Sequence, residues 1–349
     1  MFLPQTYNVA LLLMILSMIC WGSWANTYKM AGKWRFELYC FDFAVGLLVA
    51  SVILAYTVGS LGYDGFSFSD DLMHAGKRQW MLAFVGGVVF NLGNMLLLAA
   101  ISVAGMAVAF PVGIGLALVV GIILNFFLKP SGNATLLLVG CLLVLIAAAA
   151  DAYAYVLRGR IHHEDMAKKG KAKSTRRPTK VKGVILALIG GVLMGCFFPL
   201  VQMAREGDIG LGPYSVAVLF AAGACVSTVV FNLFFMNLPV EGAPVELRDY
   251  LLKAGLKQHL LGFAGGALWC VGAVAAFAAA SAPPEVHVGP ATSYAMGQGA
   301  TLIAALCGLF LWREFKGSDL KIKGLLAIML AFYACGLILL SMAPLYGQQ

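Results

Sequence analysis

Ten runs of roughly 20 apolar residues follow one another along this chain, near 8–30, 37–58, 79–103, 106–128, 134–157, 183–204, 214–236, 258–281, 287–311 and 322–343. Each is long enough to cross a bilayer as an α-helix. In hydrocarbon the backbone must satisfy its own hydrogen bonds, and a helix does so within one segment. The expected fold is therefore an all-α integral membrane protein with ten transmembrane helices. A composition of 61% hydrophobic and 11% charged residues agrees, because soluble domains carry about twice that charged share. So little polar sequence remains that no soluble catalytic domain fits between the runs. The first run lacks a basic leader and an Ala-x-Ala cleavage site, and is read as a retained helix.

Charge sets the orientation. The stretch Arg158–Lys182 holds ten of the 24 Lys and Arg residues. If all Lys and Arg are assigned to the sides that ten spans dictate, 20 fall on the side of this central loop. Only Lys77, Arg78, Lys129 and Arg205 fall on the side of the two termini. Cytoplasmic loops carry the Lys/Arg excess. The central loop is thus expected inside, in the inner (cell) membrane arrangement, with both termini extracytoplasmic. The net charge of +8 is a topology signal rather than a nucleic-acid footprint, and the loop's cations suit anionic lipid headgroups. Its Gly170–Thr175 segment, GKAKST, has no preceding strand or glycine pattern and is not read as a phosphate-binding loop. The eight cysteines are scattered singly in apolar runs, without Cys-x-x-Cys or His neighbours at ligand spacing. No metal or cofactor is expected.

The chain also repeats itself. At an offset of 173, Gly22 falls on Gly195, Trp24 on Phe197, Met30-Ala31 on Met203-Ala204 and Phe41 on Tyr214. At 179, FVGGVVFNLG (Phe84–Gly93) falls on FAGGALWCVG (Phe263–Gly272), and Pro111 on Pro290. This divides the chain into a first five-helix repeat (1–157), the basic loop (158–182) and a second five-helix repeat (183–349). Five spans is an odd number, so the halves must insert in opposite senses. Such a 5+5 inverted repeat is how many secondary transporters are built, with solute bound near the midplane between repeats.

Polar groups within the apolar runs are the candidate site. Asn26 follows Trp21 and Trp24 near the inner end of the first run, where the tryptophans suit either an interfacial belt or a cavity. Glu37 is expected at headgroup level, paired with Lys33 or Arg35. Asp42 lies five residues deeper, roughly 7 Å along the helix, and a carboxylate at that depth is either functional or held in a structural pair. Asn91 and Asn94 share a helix face at mid-span; they either bond neighbouring helices or line a polar cavity. Asp151 and Tyr155 also share a face near the inner end of the fifth run. The matched prolines 111 and 290 suggest broken or kinked helices whose freed carbonyls face solute. Of the two, the helix of Pro290 is more polar, carrying Thr292, Ser293, Tyr294 and Gln298. Trp269 lies at mid-span in the eighth run. Gly86-Gly87 and Gly265-Gly266 read as close helix contacts, and His287 as an interfacial or pH-responsive group.

At CWGSWANTYK (Cys20–Lys29), KWRFELYCFDF (Lys33–Phe43), NLGN (Asn91–Asn94) and GLFLWREFKGSDLK (Gly308–Lys321), the chain resembles the ureide permease family. That family lies within the drug/metabolite transporter superfamily, near the rhamnose–proton symporters and glucose/ribose porters. The resemblance covers essentially the whole chain. It implies uptake of small polar, largely uncharged solutes such as ureides, nucleobases or sugars, commonly driven by protons. Asp42 and Asn94 match positions in the resembling motifs. Plant members carry a longer central loop with a nucleotide-binding motif that this chain lacks.

The expected activity is thus secondary active import of a small polar solute with a coupling proton. Trp24, Asn26, Asn91, Asn94, Trp269, Tyr294 and Gln298 are the candidate binding residues, and Asp42 and Asp151 the candidate proton carriers. An exporter of amphipathic molecules on the same fold is the alternative, and would show a wider, mostly aromatic cavity. An intramembrane enzyme would need a clustered nucleophile and base, which the runs lack. The lipid bilayer, the solute, the proton and a second copy of the chain in a homodimer are the partners considered; nucleic acid is not.

Overall fold

The computed structural model describes residues 1–32, 34–61, 65–104, 106–130, 132–168, 180–240, 242–286, 288–313 and 319–346, with the side chains at 106–108, 110–111, 151–152, 155, 159–168, 180 and 344 outside that description. The helices are α1 (Tyr7–Met30), α2 (Phe36–Tyr56), α3 (Phe68–His74), α4 (Lys77–Ala104), α5 (Met106–Leu128), α6 (Ala134–Lys168) and α7 (Lys180–Ala204). They continue with α8 (Pro213–Asn237), α9 (Leu247–Leu252), α10 (Leu256–Ala280), α11 (Pro290–Gln298), α12 (Ala300–Leu306) and α13 (Leu320–Met342). No strand occurs among the described residues. Eight helical stretches there are long and apolar enough to cross a membrane: α1, α2, α4, α7, α8, α10, the composite Pro290–Leu311 and α13. The protein is an all-helical, multi-pass membrane protein. The apolar stretches Val112–Leu128 of α5 and Ala134–Ala150 of α6 are shorter.

Helix ends follow local chemistry. The Thr6 hydroxyl accepts from Val9 N and caps α1, and Ser67 caps α3 through Asp70 N. Pro213 and Pro290 occupy the first turns of α8 and α11, where the missing N–H would be unsatisfied anyway. The matched prolines therefore do not break the helices as expected. Pro290 begins its helix, and α5 runs unbroken through position 111. The interruption falls instead at Gly299, between α11 and α12, and the segment ends in a π-turn at Cys307–Leu311.

Glycines set how closely the helices approach, and the approaches come in pairs. A Cβ on Gly87 of α4 would lie 1.9 Å from the Phe220 carbonyl oxygen of α8; one on Gly266 of α10 would lie 1.9 Å from the Phe43 oxygen of α2. Gly223 of α8 meets Phe84 O of α4 as Gly46 of α2 meets Phe263 O of α10, each at 2.0 Å. Gly22 of α1 sits against Ala300 and Ile303 of α12, and Gly195 of α7 against Ala117 and Val120 of α5. Gly140 of α6 and Gly336 of α13 abut each other's carbonyls.

Helices α2 and α8 run antiparallel. Phe36 at the start of α2 meets Phe235 near the end of α8 edge to face, while Gly59, just beyond α2, meets Tyr214 at the start of α8. Helices α6 and α13 do likewise, since Asn133 N donates to Ala343 O. The chain ends gather on one side. Tyr7 OH bonds to Ser341 O, Tyr214 OH to Phe2 O, and Gly212 N to Asp71 Oδ2. At the other side Arg35 reaches Ala243 O and Lys182 Nζ donates to Val240 O.

Candidate functional site

The middle of the molecule is an aromatic cluster. Trp21 of α1 stacks on Trp269 of α10, with ring centres 5.4 Å apart and planes at 20°. The Trp21 indole N–H donates to Trp269 O at 3.2 Å, which fixes both helices. Phe220 of α8 also stacks with Trp269, at 5.6 Å and 7°, and Phe90 of α4 meets it tilted at 4.0 Å. Phe197 of α7 touches Trp21, Phe90, Phe220, Trp269 and Tyr294. Such pairs contribute about 0.5–1.5 kcal/mol each beyond area burial, so the cluster is a rigid wall.

That wall encloses a cavity lined by Trp21, Trp24, Ile114, Met194, Phe197, Trp269, Gln298 and Ala300. Free space in it is narrow, with room for about one water molecule. Gln298 is the polar side chain of the lining, 5% exposed. Its neighbours Gly297 and Gly299 explain the position. A Cβ on Gly297 would strike the Trp21 ring at 2.6 Å, and one on Gly299 would strike Leu337 at 2.6 Å. The helix break thus leaves an amide beside a stack of indoles. Half of the lining residues are aromatic, and the space is small rather than the wide, mostly aromatic one of the exporter alternative.

Of the candidate binding residues, the structure brings Trp24, Trp269 and Gln298 together around this cavity, and Trp21 joins them. Asn26 lies toward the C-terminal end of α1, where its Oδ1 accepts from Trp312 Nε1 at 2.7 Å. Asn91 donates to Ser227 Oγ of α8 at 2.9 Å. Tyr294 is fully buried, with its hydroxyl donated to Ala117 O and Met194 O. Asn94 is also fully buried, and neither of its amide atoms has a partner among the described residues. The Asp151 and Tyr155 side chains, Lys33 and His287 lie outside the described residues.

A second cluster surrounds Asp42 at the far end of α2 from the termini. His259 Nδ1 of α10 lies 2.9 Å from Asp42 Oδ2 and 3.1 Å from Oδ1, and Tyr250 OH of α9 donates to Oδ1 at 2.5 Å. A charge-assisted bond contributes about 1.5–3 kcal/mol, which offsets much of the penalty of burying the carboxylate. Burial, together with donation to Asp42, pushes the Tyr250 phenol above its usual range, so it stays a donor. Gly262 allows this approach, since a Cβ there would sit 2.5 Å from Asp42 Cβ. Glu37 pairs with Arg35, through Nη2 to Oε1 at 2.6 Å. Nearby is an open cleft of about 370 Å³ lined by Ala31, Trp34, Arg35, Leu38, Asp249, Lys253 and Gln258 among others. Tyr250 and His259 escaped the sequence reading, and Trp21, read there as belt or cavity, was not among the candidate binding residues. Trp21 matches the interfacial pattern, and a lone His at the start of an apolar run carries no spacing signal.

A profile of the ureide permease family matches residues 39–182. The chain is 24% identical to ureide permease 4 of Arabidopsis thaliana over 407 aligned residues, covering 97% of this chain and 98% of the relative. Ureide permease 1 of the same plant is 24% identical, with 95% and 96% covered. The chain is ureide permease-like. A solved crystal structure of another protein shares this ureide permease-like fold with a TM-score of 0.60 at 14% identity, covering 95% of this chain and 96% of that one. The profile's stretch of the ureide permease-like chain contains Asp42, Asn91, Asn94 and Asp151, whereas His259, Trp269 and Gln298 lie beyond it.

Proposed function

We propose that this protein is a secondary active transporter that imports a small, polar, uncharged solute together with a proton. Its broad class follows from the permeases it resembles over nearly its whole length: a transporter rather than an enzyme. The finer reading is a ten-span, 5+5 inverted repeat with alternating access. It is supported by the paired approaches Gly87–Phe220 and Gly266–Phe43, and by the antiparallel run of α2 and α8, the second spans of the two proposed halves. In this reading residues 1–157 and 183–349 exchange contacts across the central cavity, the basic loop lies inside, and both termini lie outside.

The observation that carries the solute class is the lining of the cavity, which must widen from its one-water space to admit a solute. Indole faces offer stacking surface and one carboxamide offers a donor and an acceptor side by side. A flat solute with an amide or urea edge, a ureide or nucleobase, matches that pattern. A sugar presents several hydroxyls, each of which would need a partner when dehydrated, and the lining supplies a single polar side chain. Trp24, Trp269 and Gln298 are the proposed contacts, Asn94 is a further candidate from its unpartnered amide, and Asp42 and Asp151 are the proton candidates.

The test is a thermal-shift screen of the purified protein against allantoin, uracil and glucose, since ligands that bind the folded state raise its apparent stability. Allantoin or uracil is expected to raise the midpoint in wild type and not in Gln298→Ala. Losing one buried amide contact costs about 1–3 kcal/mol, or roughly 5- to 150-fold in affinity. A shift with glucose alone, or an equal shift in Gln298→Ala, would refute this reading.

A further inference from the structure

We propose that Asp42, His259 and Tyr250 form one proton-binding site, open to water through the cleft beside Trp34, with His259 as the group that takes the proton. This rests on the proton-driven reading above and commits to where the proton sits.

The geometry assigns the roles. An ionised carboxylate only accepts hydrogen bonds, and Asp42 accepts one from Tyr250 and faces His259 Nδ1 with both oxygens. His259 must therefore present Nδ1–H to Asp42, which leaves Nε2 to gain or lose a proton. Without that proton the pair carries one negative charge. With it the pair is a neutral imidazolium–carboxylate couple. A net charge held away from water is costly, whereas a neutral hydrogen-bonded pair is far less so. The unloaded pair thus favours contact with water, and the loaded pair tolerates closure.

Access is available on the same side. The His259 side chain is 27% exposed, and its ring meets the edge of Trp34 with centres 6.1 Å apart. Trp34 lines the open cleft, and its buried indole N–H has no acceptor among the described residues. The other charged or titratable groups around the pair are accounted for. On α2 and just before it, Arg35 and Glu37 neutralise each other, and Tyr39 bonds to Thr27 Oγ1 of α1. On α9, Asp249 pairs with Lys253. Tyr28 of α1 packs edge-on against Tyr39 and Lys29 sits over the Trp312 ring, while among the described residues Asp42 and His259 bond to each other and Asp42 to Tyr250. Among the described residues Asp42 is the carboxylate paired with the imidazole.

The site is separate from the solute cavity yet mechanically joined to it. Asp42 is not in the cavity lining. One residue on, Phe43 meets Trp24 at 5.3 Å, and His259 and Trp269 share α10. A change in the α2–α10 contact at Asp42 therefore moves both indoles that face the solute.

Proteoliposomes holding wild type, Asp42→Asn, His259→Gln or Tyr250→Phe would be assayed with radiolabelled allantoin in two modes. One is gradient-driven uptake, the other counterflow without a gradient. A one-unit pH gradient supports up to about tenfold accumulation per proton. That accumulation is expected to vanish in Asp42→Asn and His259→Gln, while counterflow stays within about twofold of wild type, a difference of only about 0.4 kcal/mol. Tyr250→Phe should keep accumulation with a shifted pH profile. Undiminished accumulation in His259→Gln, or loss of both modes in step, would overturn the site. Absent counterflow in wild type would instead refute allantoin as the solute. In that case infrared difference spectra between about pH 5 and 8 still decide. An imidazole band present in wild type and missing in His259→Gln supports the site; identical spectra in the two sink it.

Discussion

Buried amides show how the same residue type plays opposite parts in this bundle. Asn91 and Asn94 share a face of α4, but only Asn91 finds a partner, in Ser227 of α8. A buried polar group without a partner costs about 1–3 kcal/mol, and replacing it by an apolar group of similar shape removes that cost. Asn94→Leu is therefore expected to raise the thermal midpoint. Asn91→Leu should lower it by a similar amount, because Ser227 loses its donor. Heat denaturation of the two variants in detergent checks the contrast, and equal shifts of the same sign would refute it. If Asn94→Leu also loses solute binding, the orphaned amide is a stability cost held for function. The sequence placed both amides on one face but could not separate them, because the partner of Asn91 lies 136 residues away. Asp42 was legible for its depth in an apolar run. His259 and Tyr250 were not, because only the folded α9 and α10 bring them to it.

Among the helices, packing depends on where a side chain is missing. On α10 a Cβ at Gly266 would fall 1.9 Å from Phe43 O, and on α4 one at Gly87 would fall 1.9 Å from Phe220 O. A carbonyl cannot rotate away, so α2 and α10, or α4 and α8, must separate. Gly87→Ala and Gly266→Ala should each cost about 1–3 kcal/mol or more. Gly324 on α13 has nothing within 4 Å of its Cβ position, so Gly324→Ala should stabilise by about 0.5–1 kcal/mol through helix propensity. Thermal midpoints of the three variants test this, and destabilisation by all three alike would point to a general intolerance of substitution. The span starts were readable from hydropathy, and the matched Gly-Gly pairs pointed to close contacts. The break at Gly299 was not readable. Prolines draw attention as helix breakers, yet Pro290 merely begins a helix, and Gly299 acts through contacts with α1 and α13 that only the fold supplies.

For the whole molecule, the two sides of the membrane differ in charge as well as in contacts. The side where Tyr7 bonds to Ser341 and Gly212 to Asp71 also carries the few cations at Lys77, Arg78, Lys129 and Arg205. Lys/Arg excess is retained in the cytoplasm during insertion, so the Arg35–Ala243 side should face inward. The cleft beside Trp34, lined by residues of that side, would then exchange protons with the cytoplasm, and the loaded His259 would release its proton there. Cys335 is exposed on the membrane-spanning α13, while the other cysteines are buried or half-buried. A Cys335→Ser background therefore suits thiol labelling. In intact cells a membrane-impermeant maleimide should label Asp208→Cys and spare Glu246→Cys until the cells are opened. The reverse pattern would place the proton cleft outside, and import by proton release at His259 would have to run the other way.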